Sequence, residues 1–476
     1  MYGRGAAPRS SPPGMKGWSP GDDGGPSATR RGAFCAIIGS AFLTHSLLLE
    51  VVRLSIVGRG LVEGCLESGE VARITEEALA ALPVDGRRVL VLIPDGTRTM
   101  PMPLVFEAIE RALDRRVKAL DFLVALGTHM PMSDAQLTAL IGRPVVGGRA
   151  GARHIFNHRW DDPATFVQLG TIPEAEIVEL TQGRLRQDVP VALNRLVTEY
   201  DHVIICGPVF PHEVVGFSGG TKYLYPGIAA PEIIHFTHWL GALITSYNVI
   251  GTMDTPVRAV INRAASFLKT PLSLLAAVVT HDGVAGLFGG DVHAAWRQAA
   301  LLSSRRHIVW VDRPFDKVVA VMPAMYDDLW VAAKGTYKSE PAVADDGEVV
   351  IYAPHVGEVS HVHGKLIDEI GYHCRDYFLG QWERFKHYPG GILAHSTHVR
   401  GLGTYDASCG LETPRIRVTL ATGIPRERCE RINLGYMDPA TVNPAAWQGR
   451  TGWLVVPRAG EMLYRVGQPP AWGDTA

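Results

Sequence analysis

The strongest constraint in this sequence is a repeated order: a short, continuous apolar run ending on a polar residue, then a stretch with helical spacing. RVLVLIPD (88–95) is the first clear case, and it reads as a buried parallel strand that delivers Asp95 at its carboxyl end. PLVFEAIERALDRR (103–116) follows, with Leu104, Ile109, Ala112 and Leu113 along one side and Pro103 suited to a first helical turn. VKALDFLVALGTH (117–129) is a second strand ending at His129, and Ser133 with Gln136 forms an S-x-x-Q capping box for the next helix. HVIICGPVFPH (202–212) repeats the strand pattern up to His212, and PEIIHFTHWL (231–240) starts a helix at Pro231. This alternation predicts a doubly wound α/β sheet, whose ligands bind outside the carboxyl ends of the strands. Asp95, His129 and His212 all fall there.

The pattern resumes near residue 271 with LSLLAAVVTHDGVAGLFGGD, then HIVWVD (307–312), KVVAVMP (317–323) and EVVIYAP (348–354). The expectation is therefore two α/β domains with largely parallel sheets, 59–270 and 271–476, with the active site in the cleft between them. Residues 1–58 are expected to be a disordered extension, because the first 32 are rich in Gly, Pro, Ser and Arg and carry no apolar period. AFCAIIGSAFLTHSLLLEVV (33–52) follows Arg30 and Arg31 in the manner of an export signal. It has no A-x-A cleavage site, contains His45 and closes at Glu50, so a buried helix or an upstream extension is the better reading.

Charge and cysteine usage narrow the partners. With 46 Lys+Arg against 48 Asp+Glu, the net charge of −2 lacks the basic excess of a nucleic-acid binder. The six cysteines form no CxxC pair, which suits a reducing compartment and hence the cytoplasm. Membrane association is not expected.

Three constellations could carry chemistry. PHEVVGFSGGTKYLYPG (211–227) brings Gly216, Ser218, Gly219 and Gly220 next to Lys222, a composition that lets backbone N–H groups approach an anion. It is no Walker A loop, since Thr221 and Tyr223 stand where Gly and Ser or Thr would be required. His235-x-x-His238 puts two imidazoles on one helix face, a spacing open to metal ligation by either or both and equally to two structural histidines. PDGTRTMP (94–101) offers the Asp95 carboxylate and the Arg98 fork at one strand end. His129 and His212, from different strand ends, could flank one substrate as opposed general bases.

Taken in order, DGTR (95–98), GTH (127–129), NH (157–158), PH with GFSGGTK (211–222), PGIA (226–229) and His238 resemble the lactate racemase family that uses a nickel-pincer nucleotide. HDGVAGLFGGD (281–291) and residues 330–335 continue the likeness, which covers residues 59 to about 440. The resemblance implies that Lys222 carries the cofactor, pyridinium-3,5-bisthiocarboxylic acid mononucleotide, in covalent linkage, and that His238 ligates its nickel. It implies that His129 and His212 are the catalytic pair. Asp95, Gly96, Thr97 and Arg98 would meet the cofactor, Ser218, Gly219 and Gly220 its phosphate, and Lys334 and Arg98 the substrate. The implied activity is racemisation or epimerisation of a 2-hydroxy acid by hydride transfer to and from that cofactor, which other proteins must assemble.

One departure bears on the substrate. Where lactate-type members carry a Tyr-Gln pair, this chain has Trp330 and Val331, so an amide contact to substrate is lost and lactate itself is disfavoured. Trp330 is expected to pack against a larger or aromatic substrate group. An oxidoreductase using the same cofactor, or a carrier that holds it without turnover, are the alternatives. HVH (361–363) and HSTH (395–398) are expected to be solvated or structural.

Overall fold

A computed structural model describes residues 56–470. The first sheet has eight strands in the order Val57–Gly60, Gly283–Gly290, Leu272–Thr280, His202–Pro208, Arg88–Ile93, Ala119–Val124, Arg153–Asn157 and Arg149–Ala150. The five strands from Leu272–Thr280 to Arg153–Asn157 run parallel. The remaining edge pairings are antiparallel. Val89 through Ile93 are completely buried, as expected of a central strand covered on both faces.

The helices form where the local signals place them. Met102–Leu113 has Pro103 in its first turn and buries Val105, Phe106 and Ile109. Asp134–Ile141 starts at Ser133, whose hydroxyl accepts from the Gln136 N–H while Gln136 reaches back, completing the capping box. Pro231–Ile244 likewise begins at its proline.

The second sheet is all parallel, in the order Gly435–Tyr436, Arg417–Thr422, Val343–Ala353, Phe315–Val321 and Trp453–Val456. The α/β class with two sheets is thus as expected, but residues 272–290 differ from the expectation. They were assigned to the second domain, yet Leu272–Thr280 pairs with His202–Pro208 and Gly283–Gly290 folds back on it. The change of sheet falls after them, across the Val292–His307 helix. HIVWVD is also a strand, Ile308–Val311, but it pairs with Leu463–Val466 outside either large sheet. Of residues 1–58, only the last three are described, and Val57 and Gly58 open an edge strand. The 33–52 segment lies outside the described residues. Among the described residues no helix is long and apolar enough to cross a membrane.

A candidate active site at the strand ends

Chain order and sheet order diverge at the Arg88–Ile93 strand: the next strand in sequence lies on one side of it and His202–Pro208 on the other. Such a switch point opens a crevice at the carboxyl ends. A cavity of about 150 Å³ occupies it, lined by Asp95, Arg98, His129, His212, Lys222 and His238. Six residues singled out from scattered motifs therefore meet in one space. The two loops beneath it are pinned to each other, with the Gly127 N–H donating to the Gly227 carbonyl at 2.9 Å.

Each group is held by identifiable contacts. Asp95 Oδ2 lies 2.6 Å from His129 Nδ1, while its Oδ1 accepts from the Thr97 N–H at 3.0 Å and the Thr97 hydroxyl at 2.6 Å. Burial alone would raise the Asp95 carboxyl, but His129, Arg98 and Thr97 outweigh it and hold it well below the usual range. An ionised carboxylate only accepts, so His129 Nδ1 carries the proton and Nε2 is left with its lone pair. At His212 the arrangement is reversed: Nδ1 accepts from the Val214 N–H at 3.1 Å, which places the proton of the neutral ring on Nε2. Burial, with Lys222 and Arg98 nearby, pushes the His212 pKa well down, so the ring is neutral. The Glu213 carboxylate stands 3.3 Å from the same Nδ1.

Lys222 sits in a tight loop. Gly216 has φ +86°, and a Cβ there would come 1.8 Å from the Thr252 carbonyl oxygen; Gly219 has φ +76°, and a Cβ there would come 2.6 Å from Val209. Burial and Arg98 lower the Lys222 pKa to about 8, leaving an appreciable fraction of free amine near neutrality. On the facing helix His238 Nδ1 lies 2.7 Å from the Ile234 carbonyl, so it donates there and Nε2 keeps its lone pair. His238 lines the cavity, whereas His235 does not.

Several expected positions sit differently. The Ser218 hydroxyl accepts from the Phe210 N–H at 3.0 Å and donates to the Pro208 carbonyl at 2.9 Å, so it locks the loop and is not free for a phosphate. A Cβ on Gly220 would meet Trp296 at 3.0 Å, so this glycine serves packing; of Ser218, Gly219 and Gly220, it alone does not line the cavity. Thr97 buttresses Asp95, and Gly96 is exposed on a wider outer cleft of about 650 Å³ that both residues line. Lys334 and Trp330 come from the second half of the chain. They border a smaller adjoining pocket of about 80 Å³, shared with Arg98, His129 and His238. Trp330 does line the site, but it stacks on His395 at 3.8 Å between centroids and 22° between planes.

That stacking partner is one of the histidines expected to be solvated or structural. His395 and His398, on the Gly390–Arg400 helix, are buried and line the smaller pocket. His363 lies 4.7 Å from the Trp330 ring and borders the outer cleft, while His361 keeps about half its side chain in solvent. The available signal was two histidines three apart in GILAHSTHV, a segment with no charged residue, at a spacing that puts both on one helix face.

A two-sheet α/β protein with basic and imidazole groups gathered at a switch point is the class these features define. The sequence model of the lactate racemase N-terminal domain matches residues 70–251. The lactate racemase of Lactiplantibacillus plantarum is 24% identical over 271 residues, 56% of each chain. That of Thermoanaerobacterium thermosaccharolyticum is 22% identical over 274 residues, 56% of this chain and 60% of that protein. The matches thus span little more than half the length of these relatives. Among solved structures, a Thermotoga maritima protein superposes with a TM-score of 0.78 at 32% identity, covering 84% of this chain and 99% of the other. The lactate racemase apoprotein of T. thermosaccharolyticum shares the fold, with a TM-score of 0.64 at 18% identity over 87% and 95% of the two chains. The chain belongs to the lactate racemase family, as a divergent member.

Proposed function

We propose that this protein racemises or epimerises a 2-hydroxy acid other than lactate, using a nickel-pincer nucleotide tethered at Lys222. The observation that carries the reading is the convergence of His129, His212, Lys222, His238 and Arg98 on one cavity. The residues fit such a group: a buried amine lowered to about 8 suits covalent attachment, and His238 offers a free Nε2 as a metal ligand. Among the described residues no set of three or more His, Cys, Asp or Glu is arranged to hold a metal ion, so the other ligands would come from the nucleotide. When bound, the cofactor would supply an electrophilic acceptor for the C2 hydrogen as hydride.

The chain's own groups do the rest. Arg98 and Lys334 bind the carboxylate. Burial and Arg98 push the Lys334 pKa far down, and an arriving anion restores its charge. His129, with its Nδ1 proton committed to Asp95, takes the hydroxyl proton through Nε2. His212, neutral and with its proton on Nε2, is set to hold the carbonyl oxygen by a hydrogen bond from the other side, and the proton taken by His129 returns to that oxygen when the hydride does. Trp330, His395 and the Gly390–Arg400 helix close the space from the second half of the molecule.

The test is intact mass and nickel content of the chain co-expressed with cofactor-making proteins, followed by loss of optical purity in a panel of 2-hydroxy acids. A mass increase located on Lys222 with about one nickel per chain is expected, as one site implies. His238→Ala should lower nickel while leaving the organic adduct. No adduct and no nickel, under conditions that load a known family member, would overturn the reading.

A further inference from the structure

We propose that the small pocket under the Gly390–Arg400 helix is a subsite for a hydroxyl group on C3 of the substrate, read by His398 with His395; this rests on the function proposed above. The pocket adjoins the two cations that would hold the carboxylate, Arg98 and Lys334, and it also borders His129 and His238. A substituent on the reacting carbon therefore points into it when the carboxylate is held by that pair.

His398 is the observation that gives the pocket a chemistry. Its side chain is 3% exposed, and neither ring nitrogen has a hydrogen-bond partner among the described residues. Buried polar groups are seldom left so, and here the ring forms part of the pocket wall. Burial keeps the ring neutral, with its pKa pushed down to about 3. A neutral imidazole offers one donor and one acceptor, the complement of a hydroxyl and not of a second carboxylate. His395 is fixed beside it by the Trp330 stack and by Tyr372, whose hydroxyl lies 3.3 Å from His395 Nε2. The remaining walls include Val214, Val331, Tyr337 and the Glu213 carboxylate, and the last of these disfavours a second carboxylate on the substrate. A methyl or phenyl substituent would leave both His398 nitrogens unpaired, whereas the C3 hydroxyl of a 2,3-dihydroxy acid pairs the one that faces it.

The experiment compares glycerate, lactate, 3-phenyllactate and malate on the cofactor-loaded protein, by kcat/KM for racemisation and by calorimetric Kd. Glycerate should exceed lactate and phenyllactate by about tenfold or more, in both quantities. The glycerate-to-lactate ratio should collapse in His398→Leu and recover largely in His398→Gln, which restores a donor and an acceptor. Because each ratio is internal to one variant, a loss of folded protein does not mimic the result; should the leucine variant not fold, the wild-type Kd ratio and the glutamine variant decide. A wild-type preference for malate, for lactate or for phenyllactate overturns the subsite, as does a ratio unmoved by His398→Leu. Loss of nickel in the His398 variants overturns it too, by making the ring a metal ligand. Absence of the Lys222 adduct with no racemisation of any acid is different: it removes the function itself, and the subsite with it.

Discussion

His129 and His212 face the same cavity from two strand ends, yet the protein holds them in opposite ways. His129 sits on a loop with 30% of its side chain exposed and a carboxylate behind it. His212 is buried, with a backbone N–H behind it and Lys222, Arg98 and Lys338 as the nearest positive groups. The first arrangement ties the Nδ1 proton to Asp95 and leaves Nε2 as an acceptor; the second gives a neutral ring that donates from Nε2. Identical side chains thus start as a base and a hydrogen-bond donor. For a reaction that must run in both directions the roles have to exchange: His212 must then present a bare Nε2 and carry its proton on Nδ1, where Glu213 stands 3.3 Å away as an acceptor.

The harshest way to break the comparison is to remove either ring. His129→Ala and His212→Ala should each lower kcat by about 10²–10⁴-fold with the Lys222 adduct intact by mass. Full turnover in either variant would remove the paired assignment. Next in size, Asp95→Asn should cost about 10²-fold or more, because an amide N–H facing Nδ1 reverses the His129 tautomer. Glu213→Gln should cost less, about tenfold, and unequally for the two enantiomers, since the backbone N–H still orients His212. Equal losses from both carboxylate changes would mean that the two histidines are not held differently after all.

A smaller effect isolates the electrostatics on the His212 side. Lys222 is lowered from 10.5 to about 8, so its free amine fraction grows as pH rises through 8. Amine modification at Lys222 in cofactor-free protein should follow a midpoint near 8, and one near 10.5 would show that burial does not act as described. Last, Ser218→Ala strips partners from the Phe210 N–H and the Pro208 carbonyl, both beside the His212 loop. It should cost about 1–3 kcal/mol in urea unfolding and leave the His129 loop unaffected.

How much of this was legible depends on range. The capping box at Ser133, the proline-started helices and the buried strand at 88–93 rest on residues a few positions apart, and they stand where the local pattern puts them. The partner of an apolar strand is another matter. LSLLAAVVT reads the same whichever sheet it joins, and only its pairing with His202–Pro208 assigns it to the first. Asp95, Arg98, His129, His212, Lys222 and His238 could be picked out because strand ends and a glycine-rich loop mark them locally. Ser218 could not be judged that way, since its hydroxyl is committed to main-chain atoms eight and ten residues away. His395 and His398 were hidden for a related reason: their meaning comes from Trp330 and Lys334, more than sixty residues distant, packing around them.

The buried Lys338 ties the two halves together where it matters most. Its Nζ donates to the Pro211 carbonyl and, at 3.1 Å, to that of Glu461. Pro211 immediately precedes His212, so one of the two histidines is leashed to the second half of the chain while the other is moored to the first by Asp95. Separating the halves would have to break the Lys338 bond beside His212, while the contact between Asp95 and His129, held within one half, would stay whole.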